Sequence, residues 1–269
     1  MTLPLPARTL VFVHAHPDDE ALLTAGTMAR AVAEGQRVVL IVATNGAAGL
    51  TSQAAREGLA RTRSAELEAS VQALGVQRLV CLDYADSGLH GEVAEGFAHV
   101  DRFTVARRIA AVLDEEQAEV LVGYDPSGGY GHPDHVQVHR SVRAASVLAT
   151  RAPMLFEATL PREPIARAVR IAGRLRLTPA DFDPSSFDQA WTPSRAITHR
   201  VDVRRQWPRK AAALRAHASQ HHADGQIRTL AVLTRLPKAI GTQVLGTEYY
   251  CLVSSPRSAQ TRSTSNGSL

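Results

Sequence analysis

Short apolar runs alternate with longer segments of helical periodicity through the first half of the chain, and this alternation constrains the fold more than any other feature. The runs are rich in β-branched residues, as is typical of strands that a parallel sheet buries on both faces. They cover residues 10–13, 37–43, 78–82 and 120–122. Because repeated strand–helix units with right-handed crossovers build a parallel sheet, the sequence predicts an α/β fold.

The segments around these runs predict the remaining elements. Helices are expected at 19–34, 61–74, 100–117, 133–148, 207–222 and 226–236, and further strands at 154–159, 197–203 and 248–253. Residues 161–191, rich in proline and arginine, predict an irregular excursion with one short helix. Residues 254–269 have almost no apolar side chains and predict a disordered tail behind a single domain of residues 1–253.

Composition excludes several classes of protein. The net charge of +4 comes almost entirely from arginine and only 5% of residues are aromatic, so a base-stacking nucleic-acid surface is not expected. No segment approaches the roughly 20 apolar residues of a membrane span, and the N-terminus lacks the cationic start of a signal peptide. A cytoplasmic protein without nucleic-acid or membrane partners is expected. Cys81 and Cys251 lie in apolar runs and are expected to be buried, reduced thiols.

Two clusters of metal-binding side chains follow predicted strands. Residues 14–20 hold two histidines, two aspartates and a glutamate directly after the first apolar run. Residues 130–135 form a second cluster, which follows the glycine-rich loop behind the fourth run. Each cluster also opens a helix, and parallel sheets bind ligands beyond the carboxyl ends of their strands. The two clusters are therefore expected to meet in space.

His16, Asp19 and His135 are the candidate metal ligands. His16 and Asp19 lie three residues apart at a strand-to-helix turn that contains Pro17, and His135 adds a third ligand from the other cluster. Two histidines and one carboxylate leave positions open for water and substrate, as catalytic zinc requires. Zinc is the expected cofactor, and iron(II) accepts the same ligand set.

Neighbouring polar residues are candidates for catalysis. Asp18 is placed to act as a general base toward water. His132, with Asp134 fixing its tautomer, is placed to stabilise a developing oxyanion or to help protonate a leaving amine. Tyr130 offers a hydroxyl to the same oxyanion.

The other histidines have simpler explanations. His14 is expected to be a structural histidine with its polar atoms satisfied, and His139 a helix-surface residue. His217, with the histidines at 221 and 222, predicts a polar helix face near the site rather than a second metal site.

Residues 15–20, taken together with 130–135, resemble the PIG-L/LmbE-type metal-dependent N-deacetylases, and most of all the actinobacterial branch that handles mycothiol and its precursor. The likeness extends to residues 63–67, 83–88, 201–203 and 210–220, and so spans most of residues 8–253. It implies a Rossmann-like, mostly parallel sheet with helices on both faces. It also implies hydrolysis of the acetamide of an N-acetylglucosamine-containing compound, or of a related amide.

The same resemblance implies a role for each site residue. The implied residues are His16, Asp19 and His135 for zinc; Asp18, His132, Tyr130 and Asp134 for catalysis; and Arg63 and Asp86 for substrate contacts. Residues 46–48 and 161–191 depart from the family pattern, and both stretches are expected to border the substrate pocket.

Alternative functions stay open at this point. An amidase of a mycothiol-type thiol conjugate, or a deacylase of secondary metabolism, would use the same residues. A non-catalytic metal-binding or sugar-binding protein would not need Asp18 and His132 together. A nucleotide-binding protein is disfavoured because no G-x-G-x-x-G follows the first strand. The expected partner is a small N-acyl amino sugar or glycoside, and a homo-oligomer is left open.

Overall fold

The structure is a computed structural model that describes residues 8–46, 56–174, 184–219 and 238–255. Within these ranges seven strands form one sheet, in the order β3-β2-β1-β4-β5-β7-β6. The strands are β1 (Thr9–His14), β2 (Arg37–Thr44), β3 (Arg78–Tyr84), β4 (Val120–Tyr124), β5 (Met154–Thr159), β6 (His199–Asp202) and β7 (Thr247–Ser254). β1 to β5 are parallel, whereas β7 runs antiparallel to both of its neighbours.

Helices cover both faces of this sheet. They are α1 (Asp19–Leu23), α2 (Ala25–Ala33), α3 (Arg56–Leu74), α4 (Arg102–Glu115), α5 (Pro133–Leu148), α6 (Arg162–Arg174), α7 (Trp207–Ala216) and α8 (Lys238–Val244). The predicted α/β architecture, with a mostly parallel Rossmann-like sheet between helices, is confirmed.

Two hydrophobic cores lie on opposite faces of the sheet. Val11 and Val13 of β1 belong to the core that packs against α4 and α5, and Phe12 belongs to the core beneath α2 and α7. Because alternate side chains of a strand point to opposite faces, β1 is buried on both. β1 pairs with β2 on one side and with β4 on the other. The crossover direction therefore reverses between β1 and β4, and ligands bind at such a point.

The predicted helix 19–34 is two helices, which is a correction. Thr24 separates α1 from α2 with a φ of −134°, and its hydroxyl is 2.7 Å from Nε2 of the buried His14. The first turn of α2 is capped from a distant strand. Glu248 of β7 accepts hydrogen bonds from the backbone N–H groups of Gly26 and Thr27, each at 2.8 Å. No local signal marks this break, because the capping carboxylate lies 222 residues away from Gly26.

The proline- and arginine-rich segment is more regular than predicted. Its first part forms α6, a helix of 13 residues. Ile165 and Val169 of α6 are partly buried and Ala166 is buried, at helical spacing. The density of arginines obscured this pattern in the sequence. Residues 175–183 lie outside the described part of the chain.

One more predicted helix is shorter in the structure, and another lies outside the described residues. The helix predicted for 207–222 ends at Ala216, and His217 is its C-cap. The predicted helix 226–236 lies outside the described residues, as does the predicted tail except for Ser254, which ends β7, and Ser255.

The two cysteines are free thiols, as predicted, but Cys81 is exposed rather than buried. β3 lies at the edge of the sheet that the described residues form, with β2 as its one neighbour there. Cys251 is partly buried in β7. Among the helices that the structure describes, none is long and apolar enough to cross a membrane.

Candidate active site

The two sequence clusters meet beyond the carboxyl ends of β1 and β4, as predicted. The first cluster turns from β1 into α1 through Pro17. The second ends the loop between β4 and α5, where His132 is the N-cap and Pro133 opens the helix. Gly128, Gly129 and Gly131 in this loop have φ values of 61°, 69° and 97°. Side chains disfavour such angles, so these glycines allow the loop to bring its polar residues back over the sheet.

Two of the predicted ligands, His16 and His135, approach one carboxylate oxygen of the third, Asp19. Oδ2 of Asp19 lies 3.3 Å from Nδ1 of His16 and 3.3 Å from Nε2 of His135. Two metal–ligand bonds of about 2.0–2.1 Å at a tetrahedral angle place their donor atoms about 3.3 Å apart. The two distances from Asp19 to the histidine nitrogens therefore fit a zinc-like ion. Among the described residues, two groups have ligand atoms that all lie within 4.8 Å of one another: His16 with His132 and His135, and His16 with Asp86 and Asp134. His132 therefore competes with Asp19 for the place of third ligand.

Buried polar atoms without hydrogen bonds support the same conclusion. Both ring nitrogens of His135 are buried and have no hydrogen-bond partner, although Nε2 lies close to Asp19. Oδ1 of Asp134 is likewise buried without a hydrogen-bond partner. An unsatisfied buried polar atom costs about 1–3 kcal/mol, and coordination of an ion removes that cost for a histidine nitrogen.

The hydrogen bond to His132 decides between the two ligand sets. Nδ1 of His132 accepts a hydrogen bond of 3.2 Å from the backbone N–H of Asp134. The neutral ring then carries its proton on Nε2, which is a donor and not a metal ligand. Burial lowers the pKa of His132, and the neighbouring His16 and His135 lower it further, so the neutral form is favoured. Asp19 therefore remains the better third ligand.

Asp134 supports two histidines in different ways. Its carboxylate Oδ2 accepts from Nε2 of His16 at 3.0 Å and from the backbone N–H of Ser87 at 3.1 Å. This fixes the tautomer of His16 and leaves Nδ1 free to bind metal. The contact between Asp134 and His132 is a hydrogen bond from the backbone N–H of Asp134, while its carboxylate bonds His16 and Ser87.

Asp19 is held by Tyr124, which the sequence analysis missed. The Tyr124 hydroxyl donates to Oδ2 of Asp19 at 2.7 Å and accepts from the backbone N–H of Ala15 at 3.1 Å. It also lies 3.1 Å from Nδ1 of His14, whose Nε2 meets Thr24. His14 is thus a satisfied structural histidine, as predicted. The position of Tyr124 at the carboxyl end of a buried strand was the available signal.

Asp18 lies beside the ligand set with its backbone at φ 113°. Its Oδ2 is 3.8 Å from Nη2 of the buried Arg63. Burial raises the pKa of Asp18 to about 6, although Arg63 opposes the rise. The side chain is therefore close to the metal ligands and is a stronger base than an ordinary aspartate.

The two predicted substrate contacts are buried next to these groups. Arg63 donates to the carbonyl of Gly46 through Nη1, while its Nε has no hydrogen-bond partner. Oδ1 of Asp86 accepts from the backbone N–H of Gly88 at 2.9 Å and lies 3.8 Å from Nε2 of His16. Their contact with substrate stays a prediction.

Tyr130 is the most open of the site residues. Its side chain is 46% exposed, and its ring centroid lies 5.4 Å from that of His135 and 6.0 Å from that of His132. Trp191, at the end of the 161–191 segment, lies 6.5 Å from the same ring. The end of this segment at Trp191 therefore lies next to the site.

Two histidines differ from their predicted roles. His139 is partly buried rather than a free surface residue, and its Nδ1 lies 3.1 Å from the carbonyl of Tyr124 and 3.3 Å from Glu157. His217 is fully buried and lies 2.7 Å from the carboxylate of Glu20. The sequence gives Glu20 no role of its own beyond membership of the first cluster. Burial raises the pKa of Glu20, but His217 and Ser70 lower it by more, so the carboxylate stays ionised.

Comparison with known proteins identifies the family. The sequence profile of the PIG-L family, described as GlcNAc-PI de-N-acetylase, matches residues 11–146, just over half of the chain. The chain belongs to the PIG-L family. It is 37% identical over 268 residues to 1D-myo-inositol 2-acetamido-2-deoxy-alpha-D-glucopyranoside deacetylase of Acidothermus cellulolyticus, with 91% of this chain and 89% of that protein covered.

Solved structures of PIG-L-like fold show the same architecture. N,N'-diacetylchitobiose deacetylase of Pyrococcus horikoshii has a TM-score of 0.58 and 20% identity, covering 95% of this chain and 89% of its own. The 4-carboxy-2-hydroxymuconate hydratase GalB of Pseudomonas putida has a TM-score of 0.60 and 17% identity, covering 92% and 96%. A deacetylase and a hydratase share this fold, so the reaction of a PIG-L-like chain must be argued from its site.

Proposed function

We propose that this chain is a zinc-dependent hydrolase that removes an N-acetyl group from a small molecule containing an amino sugar. The observation that carries the proposal is the approach of His16 and His135 to one oxygen of Asp19, with Asp18 next in the chain and close to Arg63. The similarity to curated deacetylases of an acetamido-deoxyglucopyranoside supports the substrate class.

His16, Asp19 and His135 would hold the ion through Nδ1, Oδ2 and Nε2 respectively. When bound, zinc polarises the amide carbonyl and makes water a better nucleophile. The chain's own groups then account for the proton movements. Asp18 accepts the proton of the attacking water through its carboxylate, and its raised pKa suits that task.

Residues of the loop between β4 and α5 stabilise the oxyanion. Nε2–H of His132 and the hydroxyl of Tyr130 donate hydrogen bonds to the oxygen that becomes negative as water adds to the carbonyl carbon. The carbon–nitrogen bond then breaks. The proton held by Asp18 passes to the leaving nitrogen, which releases acetate and a free amine.

Acetate release from N-acetylglucosaminyl substrates tests the proposal. Protein loaded with zinc, with iron(II) or with no metal is compared, and the metal content of each sample is determined. We expect release that depends on about one zinc per chain and is lost with a chelator. Zinc-loaded protein that releases no acyl group from any amide of a panel, including longer acyl groups and thiol conjugates, would overturn the assignment.

Asp18→Asn tests the base. We expect kcat to fall by about 10²–10⁴-fold, because a general base contributes that much, while zinc content stays at the wild-type level. Asp114→Asn is the matched control, since this exposed carboxylate of α4 belongs to neither sequence cluster and should leave kcat unchanged. An active Asp18→Asn enzyme would contradict the role.

A further inference from the structure

Glu20 joins three helical segments behind the proposed base. Its carboxylate is fully buried. One oxygen accepts from the Ser70 hydroxyl of α3 at 2.6 Å and lies 2.7 Å from Nε2 of His217, which follows α7. The other oxygen accepts from the backbone N–H of Asp18 at 2.9 Å. None of these bonds involves a proposed metal ligand.

The backbone of Asp18 needs this support. A φ of 113° with ψ of −29° is a conformation that side chains strongly disfavour, at a cost of about 1–3 kcal/mol. Such strain persists only where surrounding bonds hold it in place. The bond from Asp18 N–H to Glu20 is the one polar contact that the structure shows for that backbone N–H.

The ligand Asp19 is held separately. Its Oδ2 accepts from the Tyr124 hydroxyl and from the backbone N–H of His16. Neighbouring carboxylates in the sequence therefore depend on two different sets of bonds. One set fixes the metal ligand and the other fixes the base.

We infer that Glu20 and His217 are positioning residues, which hold Asp18 in its strained backbone conformation and so aim its carboxylate at the attacking water. This inference rests on the proposed function, in which Asp18 is the base. His217 acts through Glu20 and touches neither substrate nor metal. Its own place is fixed because it caps α7 and is fully buried.

Loss of the contact between His217 and Glu20 should lower kcat without weakening the binding of substrate or zinc. A misplacement of about 1 Å in a catalytic group costs about 10²-fold. In His217→Leu we expect kcat to fall about 10- to 100-fold, while KM and zinc affinity stay within about twofold of wild type. In His217→Gln the amide nitrogen can replace Nε2 as donor to Glu20, and we expect most of kcat to return.

Ser219→Ala is the matched structural control. Ser219 also joins the chain after α7 to α3, through bonds of 2.7 Å from its N–H and hydroxyl to Glu66. It lies two residues from His217, and both of these bonds go to Glu66 rather than to Glu20. We expect a lower Tm with unchanged kcat. If His217→Leu behaves in the same way, with kcat per zinc-loaded molecule within threefold of wild type, the inference is wrong.

Crystal structures of wild type and His217→Leu provide a readout that needs no activity. We expect Asp18 to keep a positive φ in the wild type and to leave it in the variant, while Asp19 stays in place. An unchanged Asp18 backbone in the variant would refute the inference. Wild-type protein that hydrolyses no amide would remove the proposed function alone, and the backbone of Asp18 would still decide the role of the pair.

Discussion

Tyr124 shows how much one hydroxyl can contribute at the residue scale. The same oxygen donates to Asp19, accepts from Ala15 and meets His14. Burial raises the pKa of Tyr124 well above its ordinary value, so the hydroxyl keeps its proton and remains a donor. A residue of β4 therefore helps to orient the proposed ligand Asp19, which opens α1.

Tyr124→Phe should weaken metal binding. Loss of a hydrogen bond to a metal ligand typically costs 10- to 100-fold in affinity, and we expect a loss in that range for zinc. Competition with a chromophoric chelator measures it. Tyr250→Phe is the control, because its buried hydroxyl meets Thr27 at 2.7 Å outside the site. Equal zinc affinities for the two variants would contradict the role of Tyr124.

The identities of the site residues were largely predictable from sequence. The residues that hold them in place through hydrogen bonds were not. His16, Asp18 and Asp19 stand together in one short run, and their chemistry is evident from their types and order. Glu20 belongs to the same run, but its partners Ser70 and His217 lie 50 and 197 residues away. Hydrogen bonds over such separations leave no local pattern.

At the element scale, predictions held where a helix end is set locally. α5 begins at Pro133 and ends at Leu148, as predicted, because proline suits a first helical position and His132 caps it. The break between α1 and α2 was missed because Glu248 of β7 determines it. α6 was underestimated because charged residues fill its exposed face.

The buried pair of Lys210 and Glu248 joins α7 to β7, and Glu248 also bonds the start of α2. Nζ of Lys210 in α7 lies 2.6 Å from Oε1 of Glu248, and each side chain is 2% exposed. Lys210→Met leaves a buried carboxylate without its cation, and we expect the free energy of unfolding to fall by about 3–5 kcal/mol in urea titrations. Glu34→Gln, which breaks the exposed pair with Arg30, should cost under about 1 kcal/mol. Comparable losses would show that the buried pair is not special.

The loop before α5 should be sensitive to added volume at one glycine. A Cβ on Gly129 would lie 2.7 Å from the ring of Trp191, whereas a Cβ on Gly131 would meet nothing within 4 Å. Both residues have positive φ, so alanine strains the backbone at either. We expect Gly129→Ala to lower Tm by several degrees more than Gly131→Ala does. The difference measures the packing of Trp191 under the loop.

At the scale of the whole molecule, one ion cluster joins the amino ends of two strands to the end of α4. Glu116 contacts Arg37 at 2.5 Å and Arg78 at 2.7 Å. Arg37 lowers the pKa of Glu116 from 4.5 to about 2, burial opposes part of that shift, and Arg78 adds to it. Because the folded pKa lies below the unfolded one, the ionised carboxylate stabilises the fold above about pH 4.5, and this contribution is lost as the pH falls toward 2.

Glu116→Gln should therefore lower Tm at pH 7 by a few degrees, and the difference from wild type should shrink between pH 4.5 and 2. Thermal unfolding across that range measures it. Glu34→Gln again serves as the control and should show little difference at any pH. A difference for Glu116→Gln that persists at pH 2 would mean that the carboxylate charge is not responsible.

The parallel strands β1 to β5 and the position of the site were predictable from sequence, because each of these strands and each cluster is a continuous stretch of the chain. The antiparallel insertion of β7 between β5 and β6 was not, because it depends on pairing between distant segments. A single domain of residues 1–253, cytoplasmic location, absence of nucleic-acid partners and the homo-oligomer stay predictions.

The capping of α2 by β7 has a consequence for synthesis on the ribosome. Glu248 reaches back 222 residues to Gly26, and at about 5–20 residues per second that stretch takes roughly 11–44 seconds to translate. Until then the α2 amides and Lys210 lack their acceptor. We expect the nascent chain to complete the segment behind the first metal-binding cluster only as its last strand emerges, so incomplete translation products should lack a finished site.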